Sequence, residues 1–234
     1  MRVAMIANQG DGDDGYVGER LMDHGADLRC YVREDPRSLE DLEHEVDLLV
    51  LLGSDWSVYD ERFKESIDAE RDLVVRAQAV DIPILGICFG GHQISNALGL
   101  EVSPSAVPEI GWKMVTSRDE SQISPGPWFQ YHFDRWNDAN DVSSVAISPS
   151  GPQAYWYGRS LALQFHPEVT FDTIERWCVE GRDSLNRIGA DFDQIMDDSR
   201  TFLPQARERC IALLDQFLVT SHATRYPRAS EVEG

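Results

Sequence analysis

The sequence predicts an α/β fold, with an open, mostly parallel twisted sheet, helices on both of its faces and an antiparallel extension. Continuously apolar segments such as Asp47–Leu52 are typical of strands that are covered on both faces. Such segments alternate with segments of helical periodicity through residue 100, and this order predicts parallel strands joined by right-handed crossovers. Prolines then separate short β-like pieces over residues 101–170, which indicates antiparallel strands that extend the same sheet.

The first hundred residues contain the predicted parallel strands and the helices between them. The predicted strands are short apolar runs: Val3–Ala7, Asp27–Val32, Asp47–Leu52 and Ile82–Ile87. The predicted helices are Gly18–His24, Tyr59–Val80 and Gly91–Leu98. The second of these helices repeats apolar residues at the helical period, and the third ends at Gly99, a residue type that commonly terminates helices.

The second half of the chain has a different pattern. Gly111–Thr116 and Leu161–Phe165 are predicted strands of the extension, and Ile174–Val219 is predicted to be mostly helical and acidic. Because no internal repeat or long linker interrupts the sequence, we predict a single domain over residues 1–220 and a flexible tail over residues 221–234.

The charge of the chain excludes several classes of function. Its 41 acidic and 21 basic residues give a net charge of −20, and a field of this sign repels the phosphates of nucleic acids. No apolar run approaches the roughly 20 residues of a membrane span, and the opening apolar stretch is too short for a secretion signal. We therefore expect a cytoplasmic protein that binds neither nucleic acid nor membrane. Its acidic, lysine-poor composition also suits a salt-rich cytoplasm.

Two patterns that suggest a ligand have simpler explanations. Gly10, Gly12 and Gly15 spell the G-x-G-x-x-G of dinucleotide-binding loops, but the aspartates between them would repel a pyrophosphate, so we predict a plain turn. The cysteines form no C-x-x-C pair, which argues against a zinc ribbon or a thioredoxin motif. Three of them are expected to be buried and inert: Cys30, Cys178 and Cys210. The sequence implies no metal and no organic cofactor.

Cys88 occupies a sharp turn between a predicted strand and a predicted helix. The segment Ile84–Gly91 reads I-L-G-I-C-F-G-G, and Gly86 and Gly90 leave room for the backbone to reverse. The cysteine is thereby placed where open α/β sheets bind ligands and where a helix amino terminus stabilises an anion such as a thiolate. This pattern is that of a nucleophile elbow, although a buried cysteine at a strand end would also explain it.

A histidine and a glutamate follow the last predicted strand. Because residues two apart in extended backbone face the same way, and Pro167 favours extended geometry before it, His166 and Glu168 are predicted to lie on one side. A carboxylate beside an imidazole fixes the tautomer of the ring and stabilises the imidazolium. A lone histidine is more often structural, but together with Cys88 this pair predicts a nucleophile, a base and an orienting acid.

These residues resemble those of the class I, triad-type glutamine amidotransferases, especially stand-alone proteins akin to the amidotransferase half of GMP synthase. The resemblance covers roughly residues 47–219. It rests on a set of segments in the same order: Leu52–Asp60, Gly86–Gly90, Glu109–Trp112, His132–Asp134 and Phe165–Glu168. It implies a flavodoxin-like fold and a Cys88–His166–Glu168 triad that hydrolyses the side-chain amide of glutamine through a γ-glutamyl thioester.

The resemblance also implies which groups surround the reacting amide. The backbone N–H of Phe89 and a second N–H from the Gly53–Ser54 turn are expected to form the oxyanion hole. The expected substrate contacts are Ser57, His92, Phe133 and Asp134. His132 is either a further site residue or a hydrogen-bonded loop residue, and Trp112 is expected in the core.

The chain departs from the family pattern at three places. The oxyanion loop has Ser54 and Asp55 where the family usually has a second glycine and a proline. The glutamine that the family places four positions after the nucleophile is His92 here, with Gln93 one place late. Phe133 replaces a glycine. At position 92 a substrate contact with altered chemistry and a plain surface histidine are both open.

Three functions remain open from the sequence. In the first, the protein releases ammonia from glutamine for a separate synthetase or acceptor subunit, because the chain contains no P-loop or synthetase domain. In the second, it acts alone as a hydrolase of another γ-glutamyl compound, a peptide or conjugate, which the replacement at His92 favours. In the third, it is a non-catalytic regulatory protein of the same fold.

Overall fold

The computed structural model describes residues 1–138 and 142–221, and these residues form a nine-stranded mixed sheet with helices on its faces. The strands are β1 (Arg2–Ala7), β2 (Asp27–Val32), β3 (Leu48–Leu51), β4 (Ile84–Ile87), β5 (Val102–Ser117), β6 (Gly126–Trp136), β7 (Ala146–Ser148), β8 (Gly151–Tyr157) and β9 (Ser160–Leu163). Their order across the sheet is β2-β1-β3-β4-β9-β8-β7-β5-β6. The sheet is open, so the predicted fold class is confirmed.

One half of the sheet is parallel. Strands β2, β1, β3, β4 and β9 all run in the same direction, so their carboxyl ends meet at one edge. Every residue of β3 and β4 is buried, as expected for apolar strands that are covered by helices on both faces. In contrast, β2 lies at the edge of the sheet and is largely exposed.

Strand β9 joins the parallel half to the antiparallel half. It pairs in parallel with β4 and antiparallel with β8, whereas the sequence placed it only in the antiparallel extension. The strand also ends at Leu163 instead of the predicted Phe165. The reason is that the chain leaves the sheet there: the N–H of His166 donates to the carbonyl of Phe129 on β6 at 2.9 Å.

The described residues form six α-helices. They are α1 (Gly15–Asp23), α2 (Lys64–Ala79), α3 (Phe89–Ala97), α4 (Phe171–Glu180), α5 (Arg182–Ile188) and α6 (Phe192–Thr220). Helix α2 is shorter than predicted because a 3-10 turn over Glu61–Phe63, capped by Asp60, precedes it. The segment Ile174–Val219 is helical as predicted, but it is divided among α4, α5 and α6.

Apolar side chains cover both faces of the parallel strands. On one face, alternate residues of β1 and β3 pack against α1 and α6, and on the other face the intervening residues pack against α2 and α3. A third cluster holds α4, α5 and α6 against the β5–β6 hairpin. Trp112 belongs to this third cluster, as predicted, and its indole N–H donates to Ser199 Oγ at 2.9 Å.

The cysteines outside the elbow differ in burial. Cys178 and Cys210 are buried, and desolvation raises the pKa of the Cys178 thiol to about 11 and raises that of Cys210 as well. The prediction that Cys30 is buried is wrong, because Cys30 lies on the edge strand β2 and is exposed.

None of the helices in residues 1–138 and 142–221 combines the length and apolar composition that a bilayer span requires. The single domain over residues 1–220 stays a prediction. Residues 222–234 of the predicted tail lie outside the described residues.

Candidate active site

Cys88 lies at the turn that joins β4 to α3. Its φ of +52° is a strained conformation for a residue with a side chain, and such strain is typical of nucleophile elbows. Its N–H donates to the carbonyl of Leu163 at 2.7 Å, which ties the turn to the end of β9. The turn needs a glycine at position 90, because a Cβ there would lie 2.1 Å from the carbonyl oxygen of Leu51. Cys88 is thereby fixed at the carboxyl edge of the parallel strands.

His166 and Glu168 follow the end of β9. The Nδ1 atom of His166 lies 2.6 Å from Oε1 of Glu168, and the exposed fractions of these residues are only 4% and 2%. The imidazole ring packs edge-on against Trp177, with 4.9 Å between the ring centroids. The backbone carbonyl of Glu168 accepts from the N–H of Tyr16 at 2.9 Å. Helices α4 and α1 therefore both hold this segment in place.

Gly53 lies against both the cysteine and the histidine. A Cβ at Gly53 would lie 2.9 Å from His166 Cε1 and 3.7 Å from Cys88 Cβ, so the loop after β3 passes against both side chains. Burial by itself lowers the pKa of His166, but attraction to the Glu168 carboxylate and to the Cys88 sulfur outweighs it and raises that pKa to about 10. The histidine therefore keeps its proton at neutral pH, beside the sulfur.

The loop that was expected to supply an oxyanion donor is held at its first residues. The carbonyl of Leu52 accepts from Arg33 Nη2 at 2.9 Å, and the carbonyl of Gly53 accepts from Arg33 Nη1 at 3.2 Å. Further along the loop, the N–H of Trp56 donates to Ser54 Oγ at 3.1 Å. The serine side chain thus closes the turn at a position where the family usually has glycine.

His92 is buried on the first turns of α3, so the alternative of a surface histidine is wrong. Its Nε2 lies 3.0 Å from Gln164 Oε1, and Gln164 Nε2 in turn lies 3.9 Å from the Cys88 sulfur. Gln93 points away from the site and donates to the carbonyl of Ile67 on α2 at 3.1 Å. The Nδ1 atom of His92 is buried and has no hydrogen-bond partner among the described residues.

The burial of His92 predicts a dependence of stability on pH. Desolvation lowers its pKa from 6.5 to about 4, so the unfolded chain binds a proton between these values that the folded chain does not. Stability due to His92 is present above pH 6.5 and is lost as the pH falls towards 4. We expect the unfolding free energy of the wild type, relative to that of His92→Gln, to fall by about 2 kcal/mol between pH 8 and pH 5 in urea titrations. Parallel pH profiles of the two proteins would contradict this expectation.

Strand β6 carries a second group of polar residues. His132 is a buried strand residue and not a loop residue; its Nδ1 lies 3.0 Å from the carbonyl of Asp134, and its Nε2 lies 3.3 Å from Glu109 Oε2. The carboxylate of Asp134 accepts from Ser57 Oγ at 2.5 Å and from the Tyr59 hydroxyl at 2.8 Å. The loop after β3 is therefore joined through Ser57 to the strand that borders the site.

A cavity of about 840 Å³ opens onto these residues. Of the residues considered from the sequence it is lined by the cysteine, the three histidines His92, His132 and His166, the Gly53–Ser57 loop and Phe133–Asp134. The lining residues that sequence reasoning missed include Asn8, Arg176, Trp177, Gly181, Ser184 and Arg187. They come from the loop after β1 and from α4 and α5. The position of the loop was predictable, because it follows a parallel strand and so reaches the same edge of the sheet.

Residues 10–14 form a loop that packs against α4, and Gly15 begins α1. The carboxylate of Asp11 accepts from Arg176 Nη1 at 2.9 Å and from the Trp177 indole N–H at 3.2 Å. These contacts place Asp11 on the wall of the cavity, where its charge is matched by Arg176. Asp11 therefore helps to hold α4 in place. The backbone of the segment turns, as predicted.

Comparisons with known proteins agree with this geometry. The family model of glutamine amidotransferase class-I matches residues 13–177. One of the subunits of the glutamine-hydrolyzing GMP synthase from Sulfolobus acidocaldarius is 30% identical over 146 residues, which cover 57% of this chain and 72% of that protein. The glutamine-hydrolyzing GMP synthase of Aeropyrum pernix is 29% identical over 129 residues, which cover 52% of this chain.

The match spans only about a quarter of the length of that GMP synthase and of other full-length ones. Among solved structures, a glutamine amidotransferase from Thermotoga maritima superposes with a TM-score of 0.83 at 25% identity, over 93% of this chain and 98% of that chain. Similarity over nearly the whole of both chains indicates the same arrangement of strands and helices around the cavity.

Proposed function

Because the chain belongs to the class I glutamine amidotransferase family, we propose that it hydrolyses a γ-glutamyl amide, with glutamine as the first candidate, through a thioester on Cys88. The observation that carries the proposal is the buried His166–Glu168 pair, at 2.6 Å, beside a cysteine with the strained backbone of an elbow. We assign Cys88 as the nucleophile, His166 as the acid and base, and Glu168 as the group that orients His166.

In the first half of the reaction, the Cys88 thiolate attacks the amide carbon of the substrate, and the carbonyl oxygen becomes an oxyanion. His166, whose raised pKa keeps it protonated at neutral pH, then gives its proton to the departing nitrogen. The C–N bond breaks, ammonia leaves, and a γ-glutamyl thioester remains on the sulfur. Glu168 holds the imidazolium in the orientation that this proton transfer needs.

In the second half, the now neutral His166 removes a proton from water as the water attacks the thioester carbon. The C–S bond breaks, free glutamate leaves, and the thiolate beside the imidazolium is restored. The N–H groups of Phe89 and Ser54 are assigned to the oxyanion in both halves. The position of Gly53 against both His166 and Cys88 supports this assignment, because it brings the loop within reach of the reacting carbon.

Two groups in the cavity are suited to the amino-acid end of the substrate. The Asp134 carboxylate is 8% exposed and is held by two hydroxyls, those of Ser57 and Tyr59, which supports a role in binding the α-ammonium group. We assign the main chain around Phe133 to the α-carboxylate, as the family resemblance implies. His92 lines the same cavity, and its buried Nδ1 has no hydrogen-bond partner among the described residues.

Ammonia release by itself does not complete an amidotransferase reaction. The relative from Sulfolobus acidocaldarius is named as one of the subunits of GMP synthase, and we propose that this chain likewise supplies ammonia to an acceptor enzyme on a separate protein. An acceptor enzyme that binds at the cavity mouth would contact the α4–α5 segment, which carries Arg176, Ser184 and Arg187.

Two observations favour a second candidate, a hydrolase that acts alone on larger γ-glutamyl compounds. A volume of about 840 Å³ lies in the range of sites for drug-sized ligands. His92 also replaces the glutamine with which the family grips its substrate. A peptide or conjugate would place its amine portion against Tyr131, Trp177 and Arg187.

The exchange at position 92 gives a test that separates the two candidates. His92→Gln restores the family residue, which offers both a donor and an acceptor to free glutamine. If free glutamine is a poor substrate because of His92, we expect this variant to raise kcat/KM for L-glutamine about tenfold and to lower that for a γ-glutamyl peptide. Steady-state ammonia release and glutamate release measure the two values. No gain on L-glutamine would contradict the role assigned to His92.

A non-catalytic protein would bind a γ-glutamyl compound without hydrolysing it. Glutamate release from L-glutamine and from a γ-glutamyl peptide, by the wild type beside Cys88→Ala, tests the proposed function directly. Release that depends on Cys88 supports it, and binding without any Cys88-dependent release contradicts it.

A further inference from the structure

Arg33 is a fully buried charged side chain near the candidate active site. It follows β2, is 0% exposed, and pairs with Glu70 of α2, which is also 0% exposed. The pair has two hydrogen bonds: Nε donates to Glu70 Oε2 at 2.5 Å and Nη2 donates to Oε1 at 3.3 Å. Neither residue lines the cavity, so neither one contacts a substrate.

The other N–H groups of Arg33 point at the loops that border the cavity. Nη2 also donates to the carbonyl of Leu52 at 2.9 Å, and Nη1 donates to the carbonyl of Gly53 at 3.2 Å and to the side-chain oxygen of Asn8. The guanidinium carbon lies 4.7 Å from the centre of the Phe89 ring. Arg33 therefore contacts both segments to which the proposed function assigns an oxyanion donor, the Gly53–Ser54 turn and Phe89.

The contact with the Gly53 carbonyl has a geometric consequence. In a planar trans peptide, the C=O of one residue and the N–H of the next point in opposite directions. When Arg33 holds the Gly53 carbonyl towards itself, the N–H of Ser54 must point away from Arg33. Gly53 lies against His166 and Cys88, and the cavity onto which these side chains open is lined by Ser54. A flipped peptide would instead put the Gly53 carbonyl, an acceptor, on that side.

We propose that Arg33, held by Glu70, is a positioning residue that fixes the Gly53–Ser54 peptide so that the Ser54 N–H is available to the oxyanion. The inference rests on the proposed function, because the N–H of Ser54 is one of the two donors that the proposed reaction assigns to its oxyanion. In this chain the loop has Ser54 and Asp55 where the family usually has glycine and proline, so the loop's own sequence does not supply the usual restraint. Hydrogen bonds from a rigid guanidinium fork provide one instead.

Stability alone is a poor explanation of the Arg33–Glu70 pair. Burying two charges costs solvation free energy that their attraction only partly returns, and apolar pairs of similar volume are often as stable. What an apolar pair cannot do is donate to the carbonyls of Leu52 and Gly53. The double variant Arg33→Met/Glu70→Leu removes these donors without leaving a buried charge unpaired, so it separates positioning from charge burial.

A matched control exists on the same helix. Arg76 donates to the largely buried Glu43 at 2.9 Å and to the carbonyl of Leu39 at 2.9 Å, so it has the same kinds of partner away from the cavity. Arg76→Met/Glu43→Leu is therefore expected to leave the kcat of γ-glutamyl amide hydrolysis within about threefold of the wild type. The substrates are L-glutamine and L-γ-glutamyl-p-nitroanilide, and kinetics are followed on whichever the wild type cleaves faster.

Two readouts distinguish positioning from general damage to the site. Turnover of a γ-glutamyl amide passes through an oxyanion, whereas alkylation of the Cys88 thiolate by iodoacetamide does not. Because one lost oxyanion donor typically lowers kcat about 100-fold, we expect Arg33→Met/Glu70→Leu to lose roughly that factor in kcat. We expect its KM and its alkylation rate to stay within about threefold of the wild type.

Each of the other outcomes overturns the proposal. A kcat within about threefold of the wild type shows that Arg33 does not position the donor, and an equal loss of turnover and alkylation shows that the pair only maintains the site as a whole.

If the double variant does not fold, Arg33→Lys replaces it. Lysine keeps the charge opposite Glu70 but lacks the planar fork, so the same split between turnover and alkylation is expected. A wild type without Cys88-dependent turnover refutes the proposed function itself, and this inference falls with it.

Discussion

Replacement of Cys88 by alanine is expected to lower ammonia release by about 10⁴-fold or more, because no other group can form the covalent intermediate. In the proposed mechanism, the Cys88 thiolate attacks the amide carbon of the substrate. The φ of +52° at this position is equally strained for cysteine and for alanine, so the substitution should change the backbone of the turn little. Steady-state release of ammonia from L-glutamine, and of glutamate from a γ-glutamyl peptide, measures the loss.

The exposed Cys30 provides the matched control for this substitution. Cys30→Ala removes a thiol of the edge strand β2 and should leave ammonia release unchanged. A Cys88→Ala protein that is folded by circular dichroism and retains more than a tenth of the wild-type rate would contradict the role of Cys88 as nucleophile. A loss of activity in Cys30→Ala would show that thiol removal acts in some indirect way.

Replacement of Glu168 by glutamine is expected to lower kcat/KM by about 10²–10⁴-fold with little loss of folded protein. Glutamine keeps the size of the side chain but removes the charge that lies 2.6 Å from His166 Nδ1. The attraction of the carboxylate is one of the causes that raise the pKa of His166 to about 10. Without it, the pKa of His166 falls, so the imidazole loses its proton at lower pH.

The pH profile gives this prediction a specific signature. The rate needs a protonated His166 to release ammonia, so activity is lost as the pH rises through the pKa of that residue. We therefore expect the alkaline limb of kcat/KM to move to lower pH in Glu168→Gln and to stay in place in Glu175→Gln, an exposed carboxylate of α4. An unshifted alkaline limb in Glu168→Gln would show that Glu168 does not govern the proton on His166.

The general architecture was predictable because it depends on local patterns. Continuous apolar runs such as Asp47–Leu52 identified the parallel strands, and the glycines around Cys88 identified the elbow. His166 and Glu168 are only two residues apart, so their common direction follows from extended backbone alone. The structure brings all three side chains to one point. The sequence placed the strand before His166 only in the antiparallel extension, so this meeting was implied by the combination of residue types and by the family resemblance, and not by the predicted sheet.

The features that escaped prediction depend on contacts between distant residues. The Arg33–Glu70 pair joins positions 37 residues apart, and neither residue interrupts an apolar pattern that would reveal a buried charge. Cys30 has the same apolar alternation as its neighbours, so only the place of β2 at the sheet edge explains its exposure. The end of β9 is set by a hydrogen bond from His166 to Phe129, which no local propensity encodes.

The residues of α4 and α5 escaped for a related reason. Their helical periodicity was visible, but the periodicity of a helix does not specify which loop or cavity the helix covers. The third apolar cluster, which includes Trp112 and Phe129 of the β5–β6 hairpin, fixes these helices beside the cavity. Arg187 thereby reaches the ring of Phe133, with its guanidinium carbon 4.9 Å from the ring centre.

The most direct test of the central claim is to trap the γ-glutamyl thioester. The purified protein is mixed with L-glutamine or a γ-glutamyl peptide, quenched in acid within one turnover, and measured by intact and peptide mass spectrometry. The leaving group is counted in parallel, as ammonia from L-glutamine or as the free amine from the peptide. Because the net charge is −20, the experiment is run at low and at high salt. We predict a γ-glutamyl adduct on the Cys88 peptide that forms together with release of the leaving group and is absent from Cys88→Ala. Release of the leaving group without an adduct at Cys88, or an adduct on another residue, would contradict the account.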